Sequence, residues 1–222
     1  MASSPNQDDR PPGTAIDILV LHYTGMVSGE AALSRLCDPA AKVSAHYLID
    51  EVGGVTELVA PGRRAWHAGQ SMWRGRDKVN DRSIGIELVN PGHEFGYREF
   101  AKPQMESLQT LCLELLSNHP IEARNVVGHS DVAPRRKQDP GELFDWPGLA
   151  RAGIGLWPGD QPPAKDVQQS QLVDFLARFG YDTTDPEAAI MAFQRHFRPA
   201  RVDGRADGGT TRRVARLLEI VE

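Results

Sequence analysis

Residues 15–23, Ala15-Ile16-Asp17-Ile18-Leu19-Val20-Leu21-His22-Tyr23, decide how this chain is read. The run from Ile16 to Leu21 is short, apolar and rich in branched residues, interrupted only by Asp17. That is the pattern of a strand buried inside a sheet. It ends on His22, and a strand end running into a loop presents its side chain to a cleft. Working outward, a second strand is predicted at about 45–50. Val52-Gly53-Gly54-Val55 turns the chain into Thr56–Val59, so a hairpin is expected there. Further strands are predicted at 84–89 and 125–128. Between them Met105, Leu108, Cys112, Leu115 and Leu116 recur at helical spacing, which predicts an amphipathic helix over 103–118. Strands mixed with helices and a hairpin imply an α/β (α+β) fold, a central mixed β-sheet flanked by helices.

The 222 residues suit one domain plus a smaller unit. Residues 1–13 are polar and contain Pro5, Pro11, Pro12 and Gly13, so a disordered tail is expected. The segment 14–150 carries the sheet. Residues 151–165 are rich in Gly and Pro and read as a linker. After it, Leu172/Leu176/Phe179, Ile190/Phe193/Phe197 and Val214/Leu217/Leu218/Val221 mark three short helices, a small C-terminal three-helix domain over 166–222. Asp185 before Pro186 has the form of an N-cap with a first-turn proline, and Thr210 or Thr211 is the expected cap of the last helix.

With 25 Lys+Arg against 30 Asp+Glu, the net charge of −5 opposes nucleic-acid binding, which needs a concentrated basic face. Cys37 and Cys112 are too few for a disulfide scaffold or a four-cysteine zinc site, and their apolar surroundings read as buried, reduced thiols. No apolar run reaches membrane-spanning length, and the N-terminus lacks the features of a signal peptide. A cytoplasmic monomer is therefore expected, or a periplasmic or exported one if the chain is a trimmed form.

His22 and His129 both sit where a predicted strand runs into polar residues, and Asp139 follows His129 by ten residues. Two histidines and one carboxylate suit a zinc ion with an open fourth position. By spacing alone, solvated or hydrogen-bonded structural histidines account for the pattern better than a zinc site does. Glu87 interrupts the apolar strand Ile84-Gly85-Ile86-Glu87-Leu88-Val89. Strand alternation places it opposite Ile86 and Leu88, facing either a cleft or water. No HExxH, phosphate-binding loop, GxSxG or GxGxxG occurs, and Asp203-Gly204-Arg205-Ala206-Asp207-Gly208-Gly209 reads as a loop.

Six segments occur in a telling order: Leu21-His22-Tyr23-Thr24, Val43-Ser44-Ala45-His46-Tyr47, Ala65-Trp66-His67-Ala68-Gly69, Ser83-Ile84-Gly85-Ile86-Glu87, Val127-Gly128-His129-Ser130-Asp131 and Lys137-Gln138-Asp139-Pro140-Gly141. Together they resemble the zinc-dependent N-acetylmuramoyl-L-alanine amidases of the AmpD/AmiD type, relatives of peptidoglycan recognition proteins. The resemblance implies a Zn2+ cofactor held by His22, His129 and Asp139, with Glu87 as catalytic carboxylate and Lys137 near the reacting carbonyl. It implies a substrate groove at Trp66 and His67, with His46 a further substrate-binding candidate. Some phage members carry a catalytic tyrosine beside the His46 position; Ala45 stands there, so no tyrosine role is transferred, and Tyr47 is expected to pack.

The C-terminal segment resembles the three-helix peptidoglycan-binding domain appended to such amidases, through Ala192-Phe193-Gln194-Arg195-His196-Phe197, Val202-Asp203-Gly204 and Thr210-Thr211. It departs from that pattern at Asp207-Gly208-Gly209, where the relatives have Gly-Pro. The implied function is hydrolysis of the amide between N-acetylmuramic acid, in 1,6-anhydro form, and L-alanine of a stem peptide during cell-wall recycling. An exported or phage-type autolysin acting on intact peptidoglycan is the alternative. A non-catalytic peptidoglycan-binding protein is the alternative of another class.

Overall fold

A computed structural model describes residues 2–159 and 161–222. In chain order the elements are β1 (Gln7–Asp9), β2 (Ile18–Tyr23), α1 (Gly29–Cys37), β3 (Tyr47–Ile49), β4 (Val55–Glu57), β5 (Arg63–Ala65), β6 (Met72–Trp73), β7 (Arg76–Asp77), β8 (Ser83–Leu88), α2 (Gly92–Phe95), α3 (Lys102–Asn118), β9 (Val126–Gly128), α4 (His129–Val132), α5 (Trp146–Arg151), α6 (Leu172–Phe179), α7 (Pro186–Phe197) and α8 (Gly208–Val221). The central sheet has the order β4-β3-β8-β2-β9. Its β3–β8, β8–β2 and β2–β9 pairs are parallel, and the β3–β4 hairpin is antiparallel. The expected mixed sheet flanked by helices is what forms.

The side-chain period of two splits β2 between two cores. Leu19 and Leu21 face α3 and α5, with Ile84, Ile86 and Leu88 of β8 beside them. Ile18 and Val20 face the other way and pack with α6, α7 and α8. The C-terminal helices therefore do not enclose a satellite core of their own, as their short length suggested. Phe179, Phe193 and Phe197 bury against the sheet's second face, each worth about 1.5–3 kcal/mol when fully buried.

The expected linker is not free chain either. Ile154 is buried, and Trp157 packs against both cores, wedged where they meet. Residue 160, within that segment, lies outside the described residues. Asp185 caps α7 as read from the sequence, its side chain accepting the Ala188 N–H. In α8, by contrast, the cap is Asp207 rather than either threonine. Its carboxylate accepts the Thr210 N–H, which allows the helix to begin at Gly208 despite two glycines.

The expectation of a disordered tail is overturned for residues 2–13; Met1 lies outside the described residues. β1 pairs antiparallel with β5. The Ser4 hydroxyl donates to the Leu36 carbonyl, and the Asn6 amide donates to the carbonyls of Asp38 and Val43. Arg10 donates to the carbonyls of Pro61, Asn80, Asp81 and Ser83. Polarity misled the reading: these side chains satisfy backbone groups of neighbouring segments instead of water. Cys112 is buried and Cys37 half-buried, both with free thiols. No described helix is long and apolar enough to cross a membrane.

Candidate active site

Three strand ends meet at one edge of the sheet. In register, His22 stands beside Glu87, and Leu21 stands beside Gly128, the residue preceding His129. β2 precedes both its neighbours in the chain, so the crevice opens where the strand order reverses, the usual place for a site in an open sheet. Alternation puts His22 on the face of Ile18 and Val20, and puts Glu87 on the face of Ser83 and Gly85. Asp139 arrives from the loop after α4, where its carbonyl accepts the Ser130 N–H at 2.9 Å.

His22 Nδ1, His129 Nδ1 and Asp139 Oδ2 lie 3.0 Å from one another. All three residues are buried and can hold a metal ion among them. A tetrahedral ion with ligands at about 2.0–2.1 Å spaces those ligands by about 3.3 Å, close to the separations seen.

The outer hydrogen bonds settle which nitrogens bear protons. The Ser83 hydroxyl donates to the Val79 carbonyl at 2.7 Å, so its oxygen accepts from His67 Nε2–H at 3.0 Å. His67 Nδ1 is then an acceptor and takes the His22 Nε2–H at 3.0 Å. His22 Nδ1 is left as a lone pair. On the other side His129 Nε2–H donates to the Ala68 carbonyl at 3.2 Å, freeing His129 Nδ1 likewise. Both lone pairs and the carboxylate oxygen point at one place, which is the donor set a divalent cation needs.

Gly85 makes this packing possible, because a Cβ there would lie 2.4 Å from the His67 ring. Replacing Ser83 with alanine removes the acceptor of the His67 Nε2–H. The expected result is about tenfold weaker binding of an added divalent metal ion, with the His22 ring nitrogens showing mixed tautomers by 15N NMR. A single unchanged tautomer in that variant would show that the relay does not set it.

A cleft of about 360 Å³ opens over these residues, lined by Glu87, Trp66, His67, His129, Lys137 and Asp139 among others. Six of the sequence candidates thus come together there, and His22 touches three of them, His67, His129 and Asp139. His67 borders the cleft, but both its nitrogens are committed to His22 and Ser83, so it supports the site more than it grips a ligand. His46 does not belong to the groove. It is 0% exposed; its Nδ1 accepts the Gly85 N–H and its Nε2 faces the Arg63 carbonyl and Arg10. Its neighbourhood to a catalytic position in relatives misled the reading, since the ring turns into the sheet edge.

Sequence reasoning quoted Ser83 in a motif segment but gave it no role. It also passed over Tyr23, Arg35, His93, Glu94 and Arg136 of the cleft wall. Arg136 lies in the basic run Arg135-Arg136-Lys137, which by pattern alone carries no role.

Glu87 Oε2 is buried and finds no hydrogen-bond partner among the described residues. Burial first, and then the Asp139 carboxylate, hold the Glu87 carboxyl well above the usual carboxylate range, while Lys137 pulls the other way. Asp139 lies far below that range: burial opposes its charge, but His129 and His22 outweigh burial. Burial, reinforced by His129, pushes His22 down to about 4. Burial, reinforced by Arg10, pushes His46 down to about 3, and His67 is held well below its ordinary value in the same way beside His22.

These histidines are neutral in the folded chain and titrate near 6.5 when unfolded. The unfolded state therefore binds more protons below about pH 6.5, and stability is lost as pH falls from there toward the folded values. Each histidine contributes a slope of about 1.4 kcal/mol per pH unit in that window. The urea midpoint of chelator-treated protein is expected to drop clearly between pH 7 and pH 5. A midpoint flat across that range would mean the histidines take up protons in the fold as readily as in the unfolded chain.

Residues 12–142 match the family described as N-acetylmuramoyl-L-alanine amidase. The chain is 38% identical to the N-acetylmuramoyl-L-alanine amidase AmiD of Escherichia coli, over 92% of this chain and 83% of that one. It is also 38% identical to the 1,6-anhydro-N-acetylmuramyl-L-alanine amidase AmpD of Enterobacter cloacae, over 64% of this chain and 83% of the relative. Among solved structures, that of E. coli AmiD with the substrate anhydro-N-acetylmuramic acid-L-Ala-D-γ-Glu-L-Lys superposes with a TM-score of 0.83 at 37% identity, covering 95% of this chain and 92% of that one. AmpDH3 of Pseudomonas aeruginosa in complex with anhydromuramic pentapeptide gives a TM-score of 0.82 at 32% identity, covering 100% and 99%. With its sheet, its cleft and these likenesses taken together, the chain belongs to the N-acetylmuramoyl-L-alanine amidase family.

Proposed function

We propose that this chain is a zinc-dependent amidase that hydrolyses the bond between the lactyl group of 1,6-anhydro-N-acetylmuramic acid and L-alanine in soluble stem-peptide fragments, a step of cell-wall recycling. The observation that carries the reading is the 3.0 Å triangle of His22, His129 and Asp139 beside a buried, unpartnered Glu87 carboxylate oxygen. The likeness to AmiD and AmpDH3, both solved with anhydromuramic peptides, supports the substrate class.

Zn2+ bound by His22, His129 and Asp139 supplies Lewis acidity toward a water and an amide carbonyl. Glu87 takes a proton from the attacking water at its unpartnered carboxylate oxygen. A carboxyl whose affinity for protons is raised by burial suits that step. Glu87 then hands the proton to the leaving amide nitrogen, so the L-alanine amine departs neutral. Lys137, on the cleft wall, donates a hydrogen bond to the carbonyl oxygen as negative charge gathers there, a contact typically worth about 3 kcal/mol. Trp66 supplies an aromatic wall against which the sugar or the peptide backbone rests.

The test is mass-spectrometric product analysis on purified anhydromuropeptides and on intact sacculi, each with and without chelator. Chelator-sensitive release of free stem peptide from the soluble fragments is the expected result. Efficient release from sacculi would favour wall lysis over recycling. No cleavage of either substrate by zinc-loaded protein would leave a peptidoglycan-binding protein as the better reading.

A further inference from the structure

Asp131 takes no part in the chemistry above, yet it is fully buried two residues past His129. Three donors converge on its carboxylate. The Gly128 N–H donates to Oδ2 at 2.7 Å, closing the corner where β9 passes into α4. The Tyr181 hydroxyl donates to Oδ1 at 2.7 Å, and His196 Nδ1 lies 2.7 Å from Oδ2. Both of these come from the C-terminal helical unit, Tyr181 just after α6 and His196 from within α7. The His196 ring is itself stacked between Trp146 and Phe197, with centroids at 3.6 and 3.7 Å.

The corner these residues grip is tight. A Cβ on Gly128 would come within 2.7 Å of Pro140, next to the ligand Asp139. The Ser130 N–H, in the same turn, donates to the Asp139 carbonyl. The turn Gly128–Asp131 thus carries one candidate ligand and holds the loop of another. A buried carboxylate with its acceptors satisfied is locked in place, and it locks what it touches.

We infer that Tyr181 and His196 are positioning residues for the metal centre: through Asp131 they fix the turn that aims His129 and seats Asp139. The C-terminal helices are on this account part of the scaffold of the site and not only an attached module for wall glycan. The inference rests on the metal reading given under Proposed function.

The test uses the full chain. Tyr181→Phe and His196→Phe each keep a ring in place and delete a donor to Asp131. Phe175→Leu loosens the same helical unit at a side chain that has no contact with Asp131 in the network above. Zinc affinity is measured by chelator competition, the Co2+ derivative by its visible spectrum, and the Gly128 amide of metal-free protein by hydrogen exchange.

Both phenylalanine variants are expected to speed Gly128 exchange, weaken zinc binding about tenfold and shift the Co2+ spectrum. Phe175→Leu is expected to do none of these. Unchanged zinc affinity in a folded Tyr181→Phe/His196→Phe double variant overturns the inference, and so does an equal loss in Phe175→Leu. Failure of the unaltered chain to bind zinc overturns the metal reading instead. The hold on the turn is then judged on the Gly128 amide alone, and an amide indifferent to both substitutions overturns it.

Discussion

Glu87→Gln is expected to keep zinc bound and to lower turnover about 10²–10⁴-fold, the range by which a positioned proton-transfer group contributes. In barrier terms that is about 3–5 kcal/mol. The substitution preserves shape and leaves His22, His129 and Asp139 untouched, since Glu87 reaches the site from β8 and makes no hydrogen bond to any of them among the described residues. On the proposed mechanism, what is lost is the ability to accept a proton from water and return it to the departing nitrogen. The variant is also expected to be at least as stable as the parent. A carboxylate buried with an unpartnered oxygen costs desolvation energy, and the neutral amide costs less. Zinc content, kcat on an anhydromuropeptide and a melting curve on one preparation check all three expectations. Near-normal kcat in a zinc-loaded variant would remove Glu87 from the reaction.

Asp139→Ala is expected to weaken zinc binding at least about a hundredfold. It deletes one of the three proposed ligands, a larger loss than the tenfold to hundredfold of an outer-shell change. Asp139 Oδ2 is also the one anionic atom in the triangle, at 3.0 Å from both imidazoles. Asp139→Asn is expected to fall between the two, because it keeps an oxygen in place but not the charge. Zinc added to the parent is expected to raise its melting temperature by mass action, and this rise is expected to vanish in Asp139→Ala at the same metal concentration. Stoichiometric, tightly held zinc in the purified alanine variant would take Asp139 out of the ligand set.

Much of this was legible before any coordinates. The buried run ending at His22 gave away a central strand, because a branched apolar segment of that length, broken only by Asp17, has few other homes. Glu87 between Ile86 and Leu88 implied a polar face at a strand end, because alternation leaves no other choice. The N-terminal strand was not legible. Gln7–Asp9 carries no apolar pattern, and its order comes from pairing with β5 and from polar side chains bonded to distant carbonyls. His46 was misplaced for a related reason: a histidine in a motif looks the same whether its ring faces a groove or the Gly85 N–H.

The five strands of the central sheet, the helices α3, α6, α7 and α8 and the residue types able to hold a metal could be read from the chain alone, since these follow from local periodicity and from chemistry each residue carries by itself. Only the tertiary structure decided which nitrogen of His22 faces the site, because that depends on a chain through His67 and Ser83 to the Val79 carbonyl. Only it decided that the C-terminal helices share a core with β2 and reach Asp131 through Tyr181 and His196. A proton's position and a buried carboxylate's partners are properties of contacts between segments 16 to 65 residues apart, and no local pattern in the chain encodes such contacts.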